Sequence, residues 1–122
     1  PDKGRFELRL MDGAVNPYLL QAGVIAAGLH GINNKIDPGE PLSCNMYTDH
    51  KNYPNLKKLP DIIEDALNQL ENSKEIQEAF GGDTIKSYLK LKRSEIKDFN
   101  QEEKFDKKSS VTHWEKNSTL DC

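Results

Sequence analysis

The stretch from Asn16 to Leu29 constrains this chain more than any other segment, being apolar on nearly every side of a helix in an otherwise polar sequence. Asn16-Pro17 opens it in two ways. Asn is a strong N-cap, and Pro in the first turn gives up an N–H that would be unpaired anyway. A helix is expected over residues 17–30, with Gly31 as its C-terminal stop. A helix without a polar face must be covered on several sides. Gly23, Ala26, Ala27 and Gly28 leave it thin, so neighbouring backbone can come close. The chain is short of cover for it: 35% of its 122 residues are hydrophobic and 30% charged, against a usual apolar share of about 45–50%. The sequence opens on Pro1 without a Met and is expected to be a piece of a longer chain. Apolar surface left bare in such a piece predicts self-association.

Charge and cysteine usage narrow the partners. The formal net charge is −3, which argues against nucleic acid as a bulk electrostatic partner. Eight Lys and Arg lie within residues 86–108, but Glu95, Asp98, Glu102, Glu103 and Asp106 are interleaved with them, the pattern of a solvated helix face. Two cysteines, Cys44 and Cys122, are too few for a disulfide scaffold and favour a cytoplasmic setting. The longest apolar run, residues 22–29, is too short for a membrane span, so no membrane partner is expected.

Residues 5–11, Arg-Phe-Glu-Leu-Arg-Leu-Met, alternate strictly, which predicts a strand with Arg5, Glu7 and Arg9 on one face and Phe6, Leu8 and Leu10 on the other. Asp12-Gly13 ends it. Residues 33–59 are rich in turn signals and read as a long ordered loop. Beyond it a helical tail, 60–122, is expected. One helix starts at Pro60 over 61–71, with Ile62, Ile63, Ala66, Leu67 and Leu70 as its stripe. A short helix follows, capped by Ser73. A long one over 83–103 is capped by Asp83, with Ile85, Tyr88, Leu89, Ile96 and Phe99 inward. A last turn is capped by Ser110 or Thr112. His30, His50 and His113 have no metal-ligand spacing.

The sharpest chemical feature is Arg5-x-Glu7-x-Arg9. Spacing alone admits two readings: an ion-pair ladder on a solvated sheet face, or a polar strand in an active-site cavity. In the second, a carboxylate binds a hard divalent cation and guanidiniums clamp phosphate or carboxylate.

The continuation bears on the choice. Residues 5–9 with Asp12-Gly13-Ala14-Val15-Asn16-Pro17-Tyr18-Leu19, Ala26-Ala27-Gly28-Leu29-His30-Gly31-Ile32, Asn34-Lys35, Asp37-Pro38-Gly39 and Asn45-Met46-Tyr47 resemble the glutamine synthetase family. The likeness is dense over residues 3–47. It is looser over 60–93, where Tyr88-Leu89-Lys90-Leu91-Lys92-Arg93 resembles the family's last long helix. The ending, His113-Trp114-Glu115 with Thr119-Leu120-Asp121-Cys122, is similar to a subgroup of type III-like and γ-glutamylmethylamide-forming members.

The resemblance implies a mainly α chain with one N-terminal strand, the C-terminal fragment of the family's α+β catalytic domain. The single unit 1–122 then divides into an active-site strand 5–11, a buried helix 17–30, a loop 33–59 and a helical tail 60–122. It implies a cytoplasmic homo-oligomeric ligase that takes ATP, glutamate and ammonia through γ-glutamyl phosphate, with two Mg²⁺ or Mn²⁺ ions per site. Carried over residue by residue, Glu7 ligates metal and Arg9 binds glutamate and stabilises the transferring phosphoryl group. Lys3 and Arg5 fall near the nucleotide. Tyr47 sits where some relatives carry a modified tyrosine. A fragment with one metal ligand is expected to be inactive alone. Two alternatives remain open: a γ-glutamyl ligase using another amine such as methylamine, and a non-catalytic helical interaction module.

Overall fold

The computed structural model describes residues 4–102 and 111–118. Its elements are helices α1 (Pro17–Asn33), α2 (Met46–Asp49), a 3₁₀ turn (His50–Asn52), α3 (Ile63–Asn72), α4 (Lys74–Phe80), α5 (Gly82–Glu102) and α6 (His113–Ser118). The mainly helical expectation holds. The strand expected at 5–11 does not form: residues 5–10 have no regular secondary structure. A strand exists only as part of a ladder, and no described segment pairs with this one.

Local chemistry sets the helix ends. The Asn16 side chain accepts hydrogen bonds from the Tyr18 and Leu19 N–H groups at 3.0 and 3.1 Å, with Pro17 in the first turn. The stop is later than expected, because Gly31 remains helical. The left-handed residue is Lys35, at φ 50°. Its N–H bonds the Ile32 carbonyl at 3.1 Å, and the Ile36 N–H bonds the Gly31 carbonyl at 2.9 Å. That pair of bonds is a Schellman closure.

The loop 33–59 is less irregular than expected. Asn45 caps α2 by accepting from the Tyr47 N–H at 3.1 Å. Helix α3 starts at Ile63 rather than beside Pro60, with Glu64 and Asp65 in its first turn, where acidic charge suits the helix dipole. Ser73 closes α3 and caps α4, accepting from the Ile76 N–H at 3.3 Å. Gly81, at φ 82°, separates α4 from α5. Asp83 lies in the first turn of α5 instead of capping it.

The core sits where α3 and α4 pack on α5. Leu67, Ile85 and Leu89 are buried, with Leu70, Ile76, Phe80, Tyr88 and Ile96 around them. Arg93 on α5 donates to both Glu71 carboxylate oxygens on α3, at 2.6 and 3.1 Å, and to Asn68 Oδ1 at 3.3 Å. Near the far end of α5, Phe99 meets Trp114 of α6 edge-on, with ring centroids 5.5 Å apart. Thr112 caps α6: its hydroxyl accepts from the Glu115 N–H at 3.1 Å, while Glu115 accepts from the Thr112 N–H at 2.7 Å. This is a reciprocal capping box. Ser110, the other candidate cap, lies outside the described residues.

Helix α1 finds little of the cover that an all-apolar helix calls for, in keeping with the short apolar supply of these 122 residues. It packs mainly on α4, and none of its residues is buried. Ile25, Leu29 and Ile32, spaced i, i+4, i+7 along one face, are 61, 52 and 74% exposed.

Candidate active-site segment

The segment that carries the sequence-predicted site residues runs ahead of α1 and is held by the turn between them. Asp12 Oδ1 accepts from the Ala14 N–H at 2.8 Å, and the Val15 N–H reaches the Asp12 carbonyl at 3.4 Å. Together with the Asn16 cap, these bonds direct residues 6–11 back along α1. Phe6, Leu8 and Met11 then line an open apolar groove whose other wall is Leu20, Gln21, Val24 and Ile25 of α1.

The alternation read from the sequence persists over residues 6–9 without a strand and then breaks, since Met11 and not Leu10 lines the groove and Leu10 is exposed. Phe6 and Leu8 border α1, and between and beyond them Glu7 and Arg9 pair through Glu7 Oε1 and Arg9 Nε. Both polar side chains are strongly exposed, at 71 and 78%. Arg5 is exposed on the same segment. Lys3 lies outside the described residues. The structure thus brings Glu7 and Arg9 together, and it shows what sequence reading missed: the α1 residues Leu20, Gln21 and Val24 that face the segment. The signal was present in the apolar positions 6 and 8, but nothing in a linear sequence says which helix they meet.

An exposed carboxylate beside a guanidinium can bind a cation through oxygen and an anion through paired N–H donors. Among the described residues, no group of three or more His, Cys, Asp or Glu side chains gathers as a metal site. Glu7 offers one oxygen donor group, already hydrogen-bonded by Arg9. These residues alone do not fit a pair of divalent ions. His30 is engaged locally, its Nδ1 lying 3.2 Å from the Asn34 side-chain nitrogen. Tyr47 projects from α2 and is 89% exposed. No helix among the described residues is long and apolar enough to cross a membrane.

Comparison with known proteins places these features in a family. Residues 1–115 match the family model for the glutamine synthetase catalytic domain. A glutamine synthetase of Rhizobium meliloti (strain 1021) is 46% identical over 121 residues, covering 99% of this chain and 26% of that protein. Another, from Rhizobium leguminosarum bv. phaseoli, is 43% identical over 121 residues, with the same coverage of 99% and 26%. A glutamate–methylamine ligase of Methyloversatilis universalis is 36% identical over 121 residues, covering 97% of this chain and 25% of that protein. No solved structure matches the chain. The chain thus spans about a quarter of the length of these curated relatives. With its whole described fold inside the matched region, save the last turns of α6, the chain belongs to the glutamine synthetase family.

Proposed function

We propose that this chain serves as the C-terminal part of the catalytic domain of a cytoplasmic, homo-oligomeric ligase that joins ammonia to the side-chain carboxylate of glutamate. In this reading the γ-phosphoryl group of ATP passes to that carboxylate, giving γ-glutamyl phosphate and ADP. Ammonia then displaces phosphate to leave glutamine. Residues 5–11 gain ladder partners in the longer protein and become a strand of an α+β domain. Arg9 binds glutamate and neutralises charge that develops on the phosphoryl group, the usual work of a guanidinium in such transfers. Glu7 supplies one oxygen ligand to divalent metal, and further ligands come from outside these 122 residues. Lys3 and Arg5 lie toward the nucleotide. The 122 residues alone are inactive.

The observation that supports this most directly is the separation of faces on residues 6–9: apolar side chains border α1, while Glu7 and Arg9 stand together and open to solvent.

The test is Glu7→Gln in the ligase that carries this chain. It keeps shape and removes the charge that a hard cation requires. Turnover should fall and the Mg²⁺ concentration needed for half-activity should rise, with assembly intact. Unchanged turnover at limiting Mg²⁺ would remove Glu7 from the site. A second reading, a γ-glutamyl ligase for methylamine, is supported by the similarity to the glutamate–methylamine ligase. The same assay run with methylamine in place of ammonia separates the two by which amine gives the higher kcat/KM.

A further inference from the structure

We propose that Cys44 and Met46 form a two-sulfur site for a soft monovalent cation of the Cu(I) class, separate from residues 5–11 and independent of how that segment is read. The Cys44 thiol donates to Met46 Sδ, with the two sulfurs 3.6 Å apart. A thiolate and a thioether are the donors that select Cu(I) over hard cations such as Mg²⁺. The separation suits one shared ion. With metal–sulfur bonds of about 2.3 Å, the length of a zinc–thiolate bond, such an ion would see the two sulfurs roughly 100° apart. That is close to the tetrahedral angle, and it leaves room for a further donor from solvent.

The backbone sets the pair. Asn45, between the two, is extended at φ −85° and ψ 100°, so its neighbours send their side chains to the same side. Hydrogen bonds hold it there. Its side chain accepts from the Tyr47 N–H at 3.1 Å, and its own N–H reaches Asp49 Oδ2 at 3.2 Å. Its carbonyl accepts from the Thr48 and Asp49 N–H groups at 3.0 and 2.8 Å. The sulfurs therefore meet before any ion arrives, which lowers the cost of ordering them on binding. Tyr53 reaches the same thiol. Its hydrogen bond with Cys44 is the main cause that raises the Tyr53 phenol above its ordinary value, with the Cys44 charge and some desolvation adding to it. A phenol there can go on donating to the sulfur after an ion has replaced the thiol proton, the usual work of a group behind a metal ligand. Cys44 is half-buried and Met46 is 40% exposed, so the site opens to solvent. On binding, the S–H bond breaks, its proton passes to water, and the sulfur lone pair forms the bond to the ion. No electron changes hands.

The test uses Ag(I), a redox-inert ion of the same class, added to the 122-residue chain. Cys122, the second thiol, lies outside the described residues, so the chain carries Cys122→Ser throughout. Calorimetric titration should show one Ag(I) bound with release of a proton, and the Met46 ε-methyl NMR resonance should shift in step. Cys44→Ser should abolish both signals. Met46→Leu, similar in size, should weaken binding by at least about ten-fold, since even a group behind a ligand is commonly worth 10–100-fold. Urea unfolding checks that Met46→Leu folds as its parent does. Where it does not, the methyl resonance of the chain that keeps Met46 decides. Binding that survives Met46→Leu at full strength, or a methyl resonance that Ag(I) leaves unmoved, would reveal an ordinary single thiol and overturn the proposal. So would an equal response to Mg²⁺, which a two-sulfur site should ignore.

Discussion

Helices α1 and α5 invert the usual expectation about which residues go inside. Helix α1 is the most apolar segment of the chain, yet none of its residues is buried. Helix α5 is strongly charged, yet two of the three buried residues among those described, Ile85 and Leu89, are its own. The difference lies in what each faces. On α5 the apolar positions recur at helical spacing, and α3 and α4 lie along that side. On α1 the apolar residues run all round, while α4 and the segment 6–11 cover only part of the circumference. Hydrophobicity creates the demand for burial. A facing element of matching shape meets it.

Truncation should expose this contrast most strongly. Leu89 is 4% exposed and Ile32 is 74% exposed. Leu89→Ala should destabilise the α3–α4–α5 unit by about 2–5 kcal/mol, the range for buried Leu→Ala changes. Ile32→Ala should stay within about 0.5 kcal/mol, as surface changes do. Urea unfolding of both variants decides it, and equal losses would mean that α1 belongs to the same core.

A second measurement sharpens the comparison from the other side. Ile25, Leu29 and Ile32 leave an apolar stripe in water, which favours association at roughly 25 cal/mol per Å² removed. The chain should therefore self-associate with rising concentration, and Leu29→Glu should shift sedimentation toward monomer while leaving urea unfolding of the core unchanged. A monomer at high concentration would mean that the stripe is not sticky enough to matter.

The smallest effect concerns the polar link between α3 and α5. Hydrogen bonds from Arg93 hold the Glu71 carboxyl below the usual carboxylate range, against a partial desolvation that pushes it up, and the guanidinium charge adds to the lowering. A carboxyl depressed in the folded state contributes fully above its unfolded pKa, and the contribution is lost as pH falls through the lower folded value. Helical signal during acid titration should thus fall a little earlier in Glu71→Gln than in the parent chain, and the variant's stability should depend less on pH across that window. Identical acid profiles would show that the link is screened to nothing, as many exposed pairs are.

Much of the helical tail was legible in the residues. The positions of Ile85, Tyr88, Leu89, Ile96 and Phe99 give the inner face of α5, and side-chain chemistry that acts within three residues gives the caps at Asn16 and Ser73 and, of the pair Ser110 or Thr112, the one seen at Thr112, but not Asp83, which lies inside the first turn of α5. Boundaries slipped where two signals compete. Gly31 can end a helix or continue one, and the left-handed residue proved to be Lys35. Pro60 can start a helix, but the first turn formed three residues later. The nearness of the candidate residues Glu7 and Arg9 was readable from alternation, since two residues one apart in an extended segment can meet whether or not a ladder forms.

The sequence by itself determined the caps at Asn16 and Ser73, the α5 stripe, the polar pair at Glu7 and Arg9 and, through its motifs, the family, because each depends on groups a few residues apart or on order along the chain. Only the tertiary structure decided that residues 5–10 form no strand, that Phe6 and Leu8 border Leu20 and Val24, and that α1 keeps an exposed apolar face. Pairing and burial are properties of two surfaces meeting. No stretch of sequence carries its partner's shape.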